Sequence, residues 1–110
     1  MNNQLYTFDV DTPEDILKRL AQNLQKRRLE KGLSRNALSE LSKVPVSTIT
    51  KFETQFTISL ASFVSLAKAL GYTDELNVLL SEPRYSTMAE LDQINRNLNR
   101  KRGRTHNDHK

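Results

Sequence analysis

The stretch Leu33 to Glu53, LSRNALSELSKVPVSTITKFE, leaves the chain little freedom. It reads as two short helices joined by a tight turn. Ser34 stands where an N-cap belongs, because a serine hydroxyl accepts a bond from an orphan backbone N–H. Ala37, Leu38 and Leu41 follow on one face at helical spacing. Lys43–Val44 makes the turn. Pro45 is preset for the first turn of a second helix, where its missing N–H costs nothing. Ile49 and Phe52, three apart, face inward. Ser47, Thr50, Lys51 and Thr54 then point outward, and none is acidic. An outer face of hydroxyls and one lysine suits a groove lined by donors and acceptors, as the DNA major groove is.

Charge is unevenly distributed around this stretch. Residues 18–51 carry nine Lys/Arg against two acidic residues, and residues 100–110 carry five against one. Residues 1–17 and 52–99 are net acidic. Two basic blocks favour a polyanion, because each neutralised phosphate releases counterions. Basic side chains that merely keep helix surfaces soluble are the other reading, above all for the tail.

Other function classes find little support. The 110 residues suffice for one small domain plus tails. With no cysteine, disulfides and thiolate metal sites are excluded. There is no Gly-rich phosphate loop, no HExxH and no nucleophile beside a base, so neither an enzyme nor a cofactor is expected. His106 and His109 with Asp108 have metal-like HxxH spacing, but in an unstructured tail they are not read as a metal site. No apolar run spans a bilayer, and MNNQLYTFDV lacks a basic-then-apolar leader pattern, so a cytoplasmic protein is expected.

In chain order, residues 1–11 form an N-terminal arm. Leu5 to Val10 alternates like a strand, with Tyr6, Phe8 and Val10 on one side. A lone strand needs a partner edge; an irregular arm laying two aromatics on the core fits equally. Residues 12–81 form the main domain. Thr12–Pro13 caps a first helix, with Glu14 and Asp15 near its positive end. Leu17, Leu20, Ala21 and Leu24 make its buried stripe, and the same spacing then lands on Arg28. A guanidinium facing the core needs a carboxylate. Glu53, at the end of the third helix, is the candidate, and Arg27 is the alternative to Arg28. Gly32 ends the helix in the left-handed region.

Phe56 and Ile58 tuck in from the loop after Glu53. Ser59 caps a fourth helix with Leu60, Phe63, Val64, Ala67 and Leu70 inward, and Gly71 stops it. Thr73 caps a fifth, followed by Leu76, Val78, Leu79 and Leu80. That run either forms a dimer interface or closes the core. Residues 82–99 hold an amphipathic helix with Met88, Leu91, Ile94 and Leu98 on one side, lying on the domain or binding a partner. Residues 100–110 are a basic tail expected to be disordered when free. The fold class is therefore all-α: five helices, an arm, a C-terminal helix and a tail.

The segments QKRRLEKGLSRNALSELSKVPVSTITKFE and ISLASFVSLAKALGY resemble the Xre/lambda-repressor-like helix-turn-helix family. The resemblance covers about residues 15–80. It implies a five-helix DNA-binding domain in which an Arg of helix 1, here Arg28, pairs with a Glu closing helix 3, here Glu53. It implies that helix 3 enters the major groove while helix 2 crosses the backbone. Val46, Ser47, Thr50 and Lys51 fall at the base-reading positions. Val46 suits a thymine methyl, or equally the core, and Lys51 suits guanine O6/N7. Arg35 falls at a phosphate-contacting position, with Lys43 beside the backbone and Thr54 on the outer face. Three departures stand out: Lys43 occupies a turn position usually held by glycine, helix 3 starts with Pro45 instead of a polar cap, and the loop after Glu53 lacks the usual glycine and basic residues.

The resemblance implies a dimeric, sequence-specific repressor on a palindromic double-stranded operator. Small regulators of this family are often antitoxins that autoregulate a toxin–antitoxin operon. A HipB-type antitoxin, similar in size and architecture, partners a HipA-like kinase toxin. In the tail, Arg102-Gly103-Arg104 resembles the centre of an AT-hook, whose arginines enter an A·T-rich minor groove. The competing reading is a protein-interaction module that binds nucleic acid non-specifically through the basic tail.

Overall fold

A computed structural model describes the backbone of residues 11–108 and the side chains of residues 11–100. The strand-like pattern at Leu5–Val10 lies outside the described residues. Within them the chain is helical, with no strand: α1 Pro13–Glu30, α2 Arg35–Ser42, α3 Val46–Gln55, α4 Leu60–Ala69, α5 Thr73–Val78 and α6 Met88–Asp108.

The breaks follow local capping chemistry. The Thr12 hydroxyl accepts from the Asp15 N–H (3.1 Å) and the Asp15 carboxylate accepts from the Thr12 N–H (3.2 Å), a reciprocal capping box. Ser34 caps α2 through the Ala37 N–H, and Ser59 caps α4 through the Ser62 N–H. Gly32, at φ +71°, ends α1: its N–H donates to the Leu29 carbonyl and that of Leu33 to the Arg28 carbonyl. Gly71 and Tyr72 repeat the pattern after α4, on Lys68 and Ala67. Both are left-handed turns that satisfy carbonyls orphaned at a helix end.

The chain divides after Leu76 into two compact units. The core of the first is Ala21, Leu24, Leu38, Val44, Ile49, Phe52, Leu66 and Leu70, with Leu33, Phe56, Ile58, Phe63, Ala69 and Tyr72 against it. Phe52 and Phe63 meet edge to face, centroids 5.8 Å apart and planes at 76°, a geometry that adds about 0.5–1.5 kcal/mol beyond area burial.

Several expected core residues lie elsewhere. Leu17 and Leu20 are partly exposed, because burial of α1 begins only at Ala21 and runs through Leu24 to Arg28. Leu41 is 60% exposed. The inner face of α2 runs from Leu38 to Ser42, where the Ser42 hydroxyl accepts the Val44 N–H (3.2 Å) and is buried with it. On α4, Leu60 is 76% exposed and Val64 is also exposed, whereas Leu66 is fully buried. The α4 face is rotated so that Phe63, Leu66, Ala67 and Leu70 point inward. Periodicity alone leaves such a rotation open, since Leu60, Phe63 and Leu66 are all apolar and evenly spaced.

In the second unit, the Thr87 hydroxyl accepts from the Glu90 N–H (3.1 Å) at the start of α6. Leu91 and Ile94 are half-buried, Met88 and Leu98 exposed. The helix then runs past Asn99 to Asp108, over most of the segment expected to lack structure. A polar composition rules out a packed core but not a helix. Lys and Arg are good helix formers, no proline intervenes, and Gly103 alone costs about 1 kcal/mol. In the apolar run after Leu76, Val78, Leu79 and Leu80 are exposed, Leu80 by 93%.

Candidate nucleic-acid interface

Helix α3 has two sharply different sides. Ile49, Phe52 and Glu53 are buried. Ser47, Lys51 and Thr54 are exposed, and Val46 and Thr50 are half-buried. No other part of the first unit covers the Ser47–Lys51–Thr54 side. Hydroxyls and one ammonium thus line an open face ten residues long. The Thr54 hydroxyl donates to the Thr50 carbonyl (2.8 Å), so it meets an incoming group as an acceptor.

The start of α3 adds to this surface. Pro45 stands at the N-cap with φ −59°, and no side chain caps the helix. The Thr48 and Ile49 N–H groups both reach the Pro45 carbonyl, at 3.0 and 3.2 Å. Uncapped N–H groups and the positive end of the helix dipole favour an anion. Lys43 sits just before, exposed, at φ +66° and ψ +19°, with its N–H on the Ser39 carbonyl (2.8 Å). The left-handed conformation that glycine adopts freely is here carried by an exposed lysine.

Beneath the open face lies an ion cluster. Arg28 is 5% exposed. Its Nε donates to Glu53 Oε2 and its Nη2 to Oε1, both at 2.8 Å, and its Nη1 donates to the Leu33 carbonyl (2.9 Å). Arg27 instead pairs with Glu30, at 2.9 Å. Burial alone would push the Glu53 carboxyl up. The hydrogen bonds and charges of Arg28 and Arg35 outweigh that and hold it below the usual carboxylate range.

Arg35 lies at the start of α2 but is not simply free in solvent. Its Nε donates to Glu53 Oε1 at 2.9 Å, with the side chain 33% exposed. Nothing in the spacing signals a bond between residues 18 apart. Phe56 tucks against the core, as expected, but two of its features carry no sequence signal. Lys18 lies 5.7 Å from the Phe56 ring centroid, and Phe56 closes α3 at φ +64°. Arg102 and Arg104 fall on the α6 backbone, but their side chains lie outside the described residues.

Among the described residues, no three His, Cys, Asp or Glu side chains group to hold a metal, and no helix is long and apolar enough to cross a membrane. Residues 24–76 match a family model described as helix-turn-helix. No curated protein and no solved structure matches the chain.

Proposed function

Starting from residues 24–76 as a helix-turn-helix domain of the Xre/lambda-repressor-like family of DNA-binding regulators, we propose that the chain is a sequence-specific transcriptional repressor. It binds a palindromic operator as a homodimer and autoregulates its operon as the antitoxin of a toxin–antitoxin pair, acting in the cytoplasm. The supporting observation is the open side of α3: Ser47, Lys51 and Thr54 exposed, with Val46 and Thr50 at its edge. Lys51 donates to guanine in the major groove, and Ser47 and Thr50 bond base edges or phosphates. Lys43 lies where the backbone passes, and half-sites lie roughly one helical turn apart.

Exposed apolar residues outside that face support the assembly part of the reading. Val78, Leu79 and Leu80 suit contact with a second copy. Met88, Tyr85 and Leu98 suit a protein partner, such as a HipA-like kinase toxin.

The test is binding to duplexes from the DNA upstream of the chain's own coding sequence. Lys51→Ala is expected to weaken the specific complex by about 1–3 kcal/mol, with an unchanged melting temperature, in fluorescence anisotropy. Unaltered affinity for Lys51→Ala and Ser47→Ala alike sinks the proposal. Loss of all binding on deleting residues 100–110 favours tail-driven, non-specific contact instead.

A further inference from the structure

Helices α2 and α3 meet at the turn Lys43–Pro45, where buried Ser42 and Val44 fix one end of the pair. Leu38 of α2 and Ile49 and Phe52 of α3, all fully buried in one core, hold the middle of the pair. The opposite, open end holds the first residue of α2, Arg35, and the last turns of α3, with Glu53. Those two side chains are joined, Arg35 Nε to Glu53 Oε1 at 2.9 Å. Glu53 does not need this bond for its own neutralisation. Arg28 already grips both carboxylate oxygens at 2.8 Å, and the Glu53 side chain is fully buried. Oxygen Oε1 therefore carries two guanidinium donors, one from α1 and one from α2.

We infer that Arg35 is a positioning residue: its bond to Glu53 closes the open end of the α2–α3 pair and sets the angle at which α3 meets a duplex. The inference deepens the DNA-binding reading and rests on it. It differs from a direct phosphate contact, because a strut acts on how α3 sits in the groove, and so on sequence discrimination. A phosphate contact acts equally on every sequence. The side chain is suited to the task, since a planar fork loses less freedom per bond than a lysine amine.

Arg35→Met retains the aliphatic stem and removes the donor. The full chain is measured against two duplexes, one recovered from a random-sequence pool by the wild-type chain and one of arbitrary sequence. Affinity for the selected duplex is expected to fall by about tenfold. Affinity for the arbitrary duplex should change by less than about twofold, with the slope of log K against log salt unaltered. Parallel weakening on both duplexes, with a slope smaller by about 0.9, overturns the inference and makes Arg35 a phosphate contact. Amide hydrogen exchange supplies an arm without DNA. Exchange is expected to quicken at residues 50–55 and stay constant at residues 66–70; unchanged protection at 50–55 also overturns the inference. Failure of the wild-type chain to select any duplex defeats the DNA-binding reading, and the exchange arm still decides whether Arg35 braces α3. Should Arg35→Met lose its helical circular dichroism, Arg35→Ala, which also lacks the donor, replaces it under the same criteria.

Discussion

Glu53 keeps a full negative charge under complete burial because two guanidiniums surround it. Its carboxyl is held below the ordinary value of about 4.3, which fixes the sign of a pH effect. A carboxylate depressed in the folded state contributes stability that is fully present above its unfolded value. That stability is lost as pH falls through the folded one. Urea midpoints are therefore expected to drop as the buffer is acidified below the ordinary carboxylate range. Glu53→Gln is expected to reduce that drop, so the gap between variant and wild type narrows in acid. At neutral pH the same variant leaves Arg28 buried without its counter-charge, a loss of about 3–5 kcal/mol in a denaturant titration. Equal pH dependence in the two proteins contradicts this account. Lys43 offers a second test at this scale. A non-glycine residue in the left-handed region costs about 1–2 kcal/mol. Lys43→Gly is expected to raise the urea midpoint despite the extra freedom glycine gives the unfolded chain. It also weakens DNA binding if the amine serves a phosphate.

At the scale of the element, α3 carries both the core and the surface. Phe52 is fully buried against Phe63 and Ile49 is fully buried, while Lys51, directly between them in sequence, is exposed. Phe52→Ala opens a cavity at the centre of the first unit and should cost about 3–5 kcal/mol, read as a lower melting temperature with DNA binding lost in parallel. Lys51→Ala should do the reverse, leaving stability and removing affinity. The contrast between neighbouring positions separates the two duties of one helix. Helix α6 is a different kind of element. Its half-buried Leu91 and Ile94 lie near a polar series in which Gln93, Asn97, Arg96 and Arg100 bond one another. Local side-chain bonds of this kind support a helix whose apolar stripe is narrow.

For the whole molecule, the expectations concern charge and assembly. If residues 100–110 neutralise phosphates, their deletion should shallow the dependence of binding on salt, by about 0.9 for each phosphate left with its counterion. The preference for one sequence over another should remain. Removal of the preference itself points instead to base recognition by the tail. The exposed Val78–Leu80 run is expected to hold two copies together, so Leu79→Glu should shift sedimentation from dimer to monomer at matched concentration. A sedimentation coefficient identical to wild type places the interface elsewhere.

Much of the fold is legible in the sequence because the relevant forces act over three or four residues. Caps at Thr12, Ser34 and Ser59, left-handed stops at Gly32 and Gly71, and Pro45 at the head of α3 each need only their near neighbours. The helix-turn-helix match of residues 24–76 is readable for the same reason: its signature is a string of caps, a turn and short apolar spacings. Rotation of α4 that buries Leu66 and leaves Leu60 in solvent is not local, since both satisfy the same period. The exposure of Leu41 is likewise set by how much apolar surface its neighbours cover. The bond from Arg35 to Glu53 spans 18 residues and two helix axes. Residue identities named a cation and a carboxylate; only the crossing of α2 over α3 brought them within hydrogen-bond reach.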